Sequence, residues 1–106
     1  MNPVPVVGRF APSPTGDLHF GSLVSAVGSY LEARSKGGAW LLRIEDIDPP
    51  REIAGSANRI IDDLNRLGMN PDGPVLYQSS RLVAYQHAVD RLLERGLAYP
   101  CACSRK

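Results

Sequence analysis

The sequence predicts an α/β fold built on a parallel β-sheet, of which these 106 residues form the opening half. Apolar segments of strand length alternate with segments whose apolar residues recur at helical spacing. The order is strand, helix, strand, helix, short strand, helix, which is typical of parallel strands joined by right-handed crossovers. Two or three short strands do not make a stable sheet of this kind, so the sheet is predicted to be incomplete.

The first strand is predicted from Val6 to Phe10, and it ends before Pro12. A stiff, proline-rich loop, Pro12–Asp17, separates it from a helix over Ser22–Lys36. Ser22 is a suitable N-cap for this helix, and Gly37 and Gly38, directly after Lys36, end it. The apolar positions of the helix at helical spacing are Leu23, Val24, Val27 and Leu31.

The second strand is predicted over Trp40–Ile44, followed by an acidic loop, Glu45–Arg51, that its prolines hold extended. A second helix is predicted from Ile53 to Leu67, a short strand over Val75–Tyr77, and a third helix over Ser80–Arg95. The residues predicted to face the core are Ile53, Ala57, Ile60, Ile61, Leu64 and Leu67 in the second helix, and Leu82, Tyr85, Val89, Leu92 and Leu93 in the third.

The composition excludes several classes of protein. Twelve Lys and Arg residues against 11 Asp and Glu give a net charge of +1, which is not the basic footprint of a nucleic-acid-binding domain but does not exclude a partner bound mainly by other parts of a longer protein. A hydrophobic content of 43% excludes a disordered chain. The sequence contains no apolar run of membrane-spanning length and does not begin with a signal-peptide pattern, so we expect a cytoplasmic protein without a membrane partner.

Ligands of parallel α/β sheets bind at the carboxyl ends of the strands. Arg9 lies at the end of the first predicted strand, and Glu45 directly follows the second. An arginine and a carboxylate at this edge suit a zwitterion such as an amino acid, with Arg9 binding a carboxylate and Glu45 an ammonium group. A salt bridge between Arg9 and Glu45 is the alternative interpretation of the same pair.

Two further patterns suggest binding chemistry. His19 and Gly21 precede or open a helix, where an imidazole and free N–H groups can face a phosphate. The loop has neither the G-K-[ST] of a P-loop nor the G-x-G-x-x-G of a dinucleotide site. Cys101 and Cys103 favour reduced thiols or metal ligands over a structural disulfide, although two thiols are only half of a tetrahedral zinc site.

Three segments together, Arg9–Gly16 (RFAPSPTG), Leu18–Ser22 (LHFGS) and Leu42–Asp48 (LRIEDID), strongly resemble the class I glutamyl-tRNA synthetase family. The resemblance extends through Tyr77-Gln78-Ser79 to the cysteines. It implies the Rossmann-like catalytic domain of a class I aminoacyl-tRNA synthetase, incomplete here, with residues 1–97 in the nucleotide- and glutamate-binding domain. Residues 98–106 would begin a zinc-binding insertion.

The resemblance also implies roles for individual residues. The glutamate-binding residues would be Arg9, Phe10, Ala11, Pro12, Ser13 and Glu45. The ATP-binding residues, within the family's "HIGH" signature, would be Pro12, Ser13, Thr15, Gly16, His19, Gly21 and Ser22. Cys101 and Cys103 would be two of four zinc ligands, and ATP would enter with magnesium as a substrate. Ser22 departs from the family pattern, because a second histidine is common at that position.

Three details favour the branch of the family that attaches glutamate to the queuosine base in the anticodon of tRNA(Asp). They are His19–Ser22, Asp46–Glu52 and the two cysteines. A synthetase that charges tRNA(Glu) and a non-catalytic module that binds a nucleotide or an amino acid are the alternatives. The family's second signature loop does not occur in these 106 residues, so we expect the chain alone to be inactive.

Overall fold

A computed structural model describes residues 4–104, whose strands form one parallel sheet. The strands β1 (Val7–Phe10), β2 (Ala39–Ile44) and β3 (Leu76–Tyr77) lie in that order across the sheet. They are followed in turn by the helices α1 (Phe20–Ser35), α2 (Ser56–Arg66) and α3 (Leu82–Glu94). The predicted α/β class and the alternation of strands and helices are confirmed. No helix among these residues is long and apolar enough to cross a membrane.

The register of the sheet separates a covered face from an open one. Gly8 pairs with Trp40, and Phe10 pairs with Leu42, on the face that α1 covers. Trp40 and Leu42 are buried there, as is Ile44 two residues further along β2. Side chains alternate along a strand, so the intervening residues belong to the opposite face. That face is open and carries Val7, Arg9, Leu41 and Arg43, of which Val7 and Leu41 are exposed hydrophobic residues.

Helix α1 packs on the sheet through small residues. Ala26 and Ala33 are its buried positions. A Cβ atom on Gly8 would lie only 3.0 Å from the Ala33 Cβ, so the helix approaches the sheet too closely for larger side chains. The helix predicted from the spacing of apolar residues is confirmed, but those residues are not its buried ones: Leu23 is half-buried, and the exposed positions are Val24, Val27 and Leu31.

Trp40 is the centre of the core and is fully buried. Its Nε1–H donates to the Ser29 hydroxyl at 3.0 Å. The Tyr30 ring meets it edge-on at 5.4 Å, and the Phe10 ring lies nearly parallel to it at 6.5 Å between centroids. Ile60, Leu64 and Met69 complete the buried cluster. Of these, Ile60 and Leu64 confirm the buried face predicted for the second helix.

Helix α2 begins later than predicted. It starts at Ser56, after Gly55, whose φ of 78° is in the left-handed region and interrupts any earlier helix. Ile53 and Leu67 were expected in the core but are exposed, because they lie outside the helix at its two ends. The preceding loop is also not fully extended, since Pro49–Arg51 forms one turn of 3₁₀-helix.

Asp72 ties the end of α1 to the start of β2. Arg34 donates to both of its carboxylate oxygens, at 2.5 and 3.1 Å. The Trp40 backbone N–H donates to the same carboxylate at 2.7 Å. The hydrogen bonds from Arg34, followed by that from Trp40, lower the pKa of Asp72 below its ordinary value. The charged form of Asp72 therefore contributes to the stability of the fold.

Helix α3 does not pack on the described core. It follows a 3₁₀ turn, Gln78–Arg81, and has no buried residue. The radius of gyration is 16.6 Å, against roughly 13 Å for a compact domain of this length. The prediction that α3 faces the core is wrong within residues 4–104. Tyr85 is half-buried, and the exposed apolar residues are Leu82, Val89, Leu92 and Leu93.

Candidate active site

A cavity of about 450 Å³ opens between the loop that follows β1 and the start of α1. This is the expected position for a ligand in a parallel α/β fold, and the volume is within the usual range of ligand pockets. Phe10 and Ala11 contribute to its walls, together with Ile60 from α2. The walls include all the residues predicted to bind ATP: Pro12, Ser13, Thr15, Gly16, His19, Gly21 and Ser22.

Two backbone hydrogen bonds fix the first part of the loop. The Glu45 N–H donates to the Pro12 carbonyl at 2.9 Å, and the Ile53 N–H donates to the Pro14 carbonyl at 3.0 Å. Both prolines lack an N–H, so their carbonyls are the only backbone groups through which the loop can be tied at these positions. The loop is therefore attached to the segment between β2 and α2.

Two side chains of α2 fix the second part of the loop. The Ser56 hydroxyl donates to the Gly16 carbonyl at 2.6 Å and accepts from the Gly16 N–H at 3.2 Å. Ser56 is fully buried. One turn further along, Arg59 Nε donates to Asp17 Oδ1 at 2.8 Å on the surface. The cavity wall is thus held by α2 as well as by its own sequence.

His19 is the N-cap of α1, a position that the sequence analysis assigned to Ser22. Its Nδ1 accepts from the Ser22 N–H at 3.2 Å, and its Nε2 lies 3.0 Å from the Ser22 hydroxyl oxygen. The predicted cap is wrong because the helix begins two residues earlier, at Phe20. With Nδ1 accepting, a neutral imidazole carries its hydrogen on Nε2 and donates it to the hydroxyl. The Ser22 O–H then remains free to donate to a ligand.

Gly21 allows the imidazole to lie against the helix. A Cβ atom at Gly21 would lie 3.1 Å from Cε1 and 3.2 Å from Nδ1 of His19. Such contacts are closer than side chains normally tolerate, so a larger residue would displace the ring. The H-x-G spacing thus serves the packing of His19 in addition to leaving room for a ligand.

Arg9 and Glu45 do not line this cavity. Arg9 is exposed on the open face of the sheet, and Glu45 follows β2 on the same edge. The Arg9–Glu45 salt bridge considered in the sequence analysis does not form: among the described residues, the ion-pair partner of Glu45 is Arg43, with Nη2 and Oε1 2.7 Å apart. Arg9 and Glu45 therefore lie beside the cavity and do not share it with the residues predicted to bind ATP.

Asp46 links the end of β2 to the turn before α3. Its carboxylate accepts from the Ser79 N–H at 2.9 Å and from the Ser79 hydroxyl at 2.6 Å. Partial burial raises the pKa of Asp46, but the hydrogen bonds from Ser79 outweigh it and lower the pKa overall. Asp46 and Ser79 belong to two segments that carry the family resemblance. The segments lie far apart in the sequence, and this contact joins them.

Cys101 and Cys103 are both exposed thiols. The Cys103 N–H lies 3.5 Å from the Cys101 sulfur, and hydrogen bonds from Cys103 lower the pKa of the Cys101 thiol. Two thiolates suit zinc in donor chemistry. Within residues 4–104, however, no group of three or more His, Cys, Asp or Glu side chains is placed to hold a metal. The residues present thus fall short in number, and no chemical step is assigned to zinc.

Several residues of the site were not identified from the sequence. Ser25 lines the cavity, and its position three residues after Ser22 on a helix would have indicated it. Asp17 also lines the cavity. Ser56 contacts Gly16, 40 positions earlier in the sequence, and Arg43 contacts Glu45, two positions later.

The chain matches the model of the catalytic domain of class I tRNA synthetases (E and Q) over residues 5–106. Among curated relatives, the glutamyl-Q tRNA(Asp) synthetase of Dechloromonas aromatica (strain RCB) is 63% identical over 102 residues, which are 96% of this chain and 34% of that protein. The enzyme of the same name from Shewanella amazonensis is 58% identical over 106 residues, covering 100% of this chain and 37% of that protein. The chain thus spans about a third of the length of the curated relatives it matches.

Solved structures show the same likeness. A glutamate-tRNA synthetase from Elizabethkingia anophelis matches with a TM-score of 0.81 and 40% identity, covering 86% of this chain and 20% of that one. A glutamate tRNA ligase from Elizabethkingia meningosepticum, in complex with its amino acid, matches with a TM-score of 0.79 and 41% identity over 84% of this chain and 19% of that one.

Proposed function

The chain belongs to the catalytic-domain family of class I tRNA synthetases for glutamate and glutamine, and on that premise we propose that it is the ATP- and glutamate-binding part of a glutamate-activating enzyme. The observation that carries the proposal is the cavity at the start of α1, whose walls contain every residue predicted to bind ATP. In this proposal residues 1–97 belong to the catalytic domain, as the sequence resemblance implies.

ATP would bind with its phosphates at the start of α1. The first N–H groups of a helix have no partner within the helix, and the helix dipole favours an anion at that end. His19 caps the Ser22 N–H, which leaves the N–H groups of Phe20 and Gly21 and the Ser22 hydroxyl to donate to phosphate oxygens. Magnesium would enter with ATP as part of this substrate.

Glutamate would bind at the adjoining edge of the sheet. Arg9 carries the positive charge for a carboxylate, and Glu45 the negative charge for the ammonium group. Phe10 to Ser13 join the two places, because they run from the end of β1 into the cavity wall. The amino acid would thereby lie next to the phosphates of ATP.

The reaction would be attack by an α-carboxylate oxygen of glutamate on the α-phosphorus of ATP. The new O–P bond forms as the bond to pyrophosphate breaks, which gives glutamyl adenylate and pyrophosphate. No nucleophilic side chain is required, so the protein contributes by positioning the reactants and by stabilising charge. His19 and the start of α1 would act on the phosphates, and Glu45 would hold the ammonium group.

The second step would transfer glutamate to the queuosine base in the anticodon of tRNA(Asp). The names of relatives that are 63% and 58% identical to this chain support this acceptor. Charging of tRNA(Glu) is the alternative, which the likeness to glutamate-tRNA synthetase structures at 40% and 41% identity supports less directly. A tRNA substrate also implies the cytoplasmic location expected from the sequence.

Zinc belongs to this proposal as a structural element of the whole protein. Cys101 and Cys103 would supply two of its ligands at the start of an insertion that begins near residue 98. Both thiols are exposed, which is consistent with such a role.

The proposal can be tested with a chimera in which the 102 aligned residues of this chain replace those of the Dechloromonas aromatica relative. The chimera is given ATP, labelled glutamate and purified tRNA(Asp), with or without queuosine, or tRNA(Glu). We expect labelling of tRNA(Asp) that depends on queuosine. Labelling of tRNA(Glu) alone would favour the alternative acceptor, and labelling of no tRNA by a folded chimera would contradict the proposal.

A further inference from the structure

We propose that Arg43 is a positioning residue that orients Glu45 toward the ammonium group of glutamate, an assignment that rests on the glutamate-binding role proposed above. Arg43 Nη2 lies 2.7 Å from Glu45 Oε1. The two side chains are 23% and 32% exposed, so the pair is partly shielded from water. Neither the family resemblance nor any sequence motif considered above gives Arg43 a role.

The local structure determines why these two side chains meet. Residues two apart on a strand point to the same face, and Arg43 and Glu45 flank Ile44, which is fully buried on the covered face. The Glu45 backbone is fixed in addition by the hydrogen bond from its N–H to the Pro12 carbonyl. Glu45 is therefore held at the backbone by the ATP-binding loop and at the carboxylate by Arg43.

The pair leaves one carboxylate oxygen for a ligand. Within the described residues, Oε1 of Glu45 has a hydrogen bond from Arg43, and Oε2 has none. The Nε atom of Arg43 is buried without a partner among the same residues, so the contact with Glu45 is what orients the guanidinium.

The charges at this edge also match the proposed substrate. Arg43 and Glu45 neutralise each other, and Arg9 lies on the same face, diagonally across the β1–β2 pair. The three residues together carry a net charge of +1. Glutamate at neutral pH carries two carboxylates and one ammonium group, a net charge of −1. The site is thus complementary to glutamate only if Arg43 is present to balance Glu45.

The experiment measures glutamate-dependent ATP–pyrophosphate exchange by the chimera, with Arg43→Met, Glu45→Gln and the double variant. Glutarate, which has the two carboxylates but no ammonium group, serves as a competing ligand. If Arg43 acts by orienting Glu45, Arg43→Met raises the KM for glutamate about 10-fold, a typical effect of a charge-assisted contact. The same substitution in the Glu45→Gln background then adds less than about 2-fold, because the positioned group has been removed.

Glutarate separates positioning from structural damage. We expect its inhibition constant and the KM for ATP to change less than about 3-fold in Arg43→Met, because neither ligand uses the ammonium contact. Arg43→Lys should recover most of the glutamate affinity, because a single contact can be made by an ammonium donor. The matched control is Arg34→Met, which removes the comparably exposed ion pair with Asp72 at the other end of the strand and should leave the KM for glutamate unchanged.

An equal loss of glutarate binding, an unchanged KM for glutamate in Arg43→Met, or a full effect in the Glu45→Gln background would each overturn the assignment while leaving the proposed function intact. A folded chimera without glutamate-dependent exchange would overturn the proposed function and this assignment with it.

Discussion

The hydrogen bonds between Ser56 and Gly16 predict a measurable cost when the hydroxyl is removed. Ser56 is fully buried at the start of α2, and its hydroxyl both donates to and accepts from the backbone of Gly16. The substitution Ser56→Ala removes both hydrogen bonds to Gly16 at once while leaving the backbone conformation at position 56 accessible. It therefore isolates the attachment of the loop between β1 and α1 to α2.

The expected magnitude follows from the two bonds. Each hydrogen bond contributes roughly 0.5–1.5 kcal/mol net, so their joint loss would lower the free energy of unfolding by about 1–3 kcal/mol. Gly16 is only half-buried, so water can replace part of the lost bonding, and we expect about 1–2 kcal/mol. For an m-value of roughly 1–3 kcal/mol/M, the urea midpoint should fall by about 0.3–2 M.

Trp40 provides the signal for the assay, because it is the single tryptophan and is fully buried. Urea unfolding is followed by its fluorescence in the original chain, in Ser56→Ala and in the control Ser35→Ala, whose hydroxyl donates only to a carbonyl of its own helix at the surface. Amide hydrogen exchange at Gly16 should accelerate in Ser56→Ala alone. A midpoint for Ser56→Ala equal to that of the control, with unchanged exchange at Gly16, would refute the reasoning.

Four further predictions follow from the site and the core. Leu64→Ala should lower the free energy of unfolding by about 2–5 kcal/mol because it leaves a buried cavity, whereas Leu92→Ala on the exposed α3 should cost less than about 0.5 kcal/mol; urea titration compares the two. In the chimera, His19→Ala should slow pyrophosphate exchange roughly 10- to 100-fold with little change in the KM for glutamate, because the phosphate contact strengthens in the transition state; a change confined to that KM would contradict the assigned role. The lowered pKa values of Asp46 and Asp72 mean that their contribution to stability is complete above about pH 5 and is lost as the pH falls through the folded-state values; a urea midpoint that stays constant from pH 5 to 2 would rule this out. The chain alone should release zinc to a mild chelator, because its C-x-C segment supplies half of a tetrahedral site; stoichiometric zinc by elemental analysis after dialysis would show that other ligands exist.

The strands and the loop between β1 and α1 were predictable because local sequence determines them. Phe10 lies in a short apolar run, Trp40 begins a run that is apolar except for Arg43, and the prolines of the loop exclude regular structure. The position of the cavity then followed from a general property of parallel sheets, since ligands bind at the carboxyl ends of the strands. These inferences needed no knowledge of which side chains meet across the fold.

The buried face of α1 was not predictable, because it depends on distance to another element. The spacing of the most hydrophobic residues would place Val24 and Leu31 on the buried face. The helix lies so close to Gly8, however, that the buried positions are occupied by the small residues Ala26 and Ala33. For α3, periodicity correctly groups the residues that share a face, but it does not say whether anything in the described chain covers that face.

Two contacts of the site were missed for a similar reason, one outside the motifs at Ser56 and one inside them at Arg43. The contact of Ser56 with Gly16 spans 40 positions in the sequence, and a serine at the start of a helix is ordinarily interpreted as part of its cap. Arg43 appears to sequence analysis as a polar residue on an otherwise apolar strand. The structure shows that Arg43 pairs with Glu45 on the open face of the sheet.

Glutamate-dependent ATP–pyrophosphate exchange by the chimera tests the central claim most directly. If this chain supplies the ATP- and glutamate-binding side of the catalytic domain, the chimera exchanges labelled pyrophosphate into ATP when glutamate is present, does not do so with glutamine, and has a KM for glutamate at least about 10-fold higher in Glu45→Gln. The 106-residue chain measured alongside should show no exchange. A folded chimera that exchanges equally well without glutamate, or not at all while the unaltered relative is active, would contradict the account.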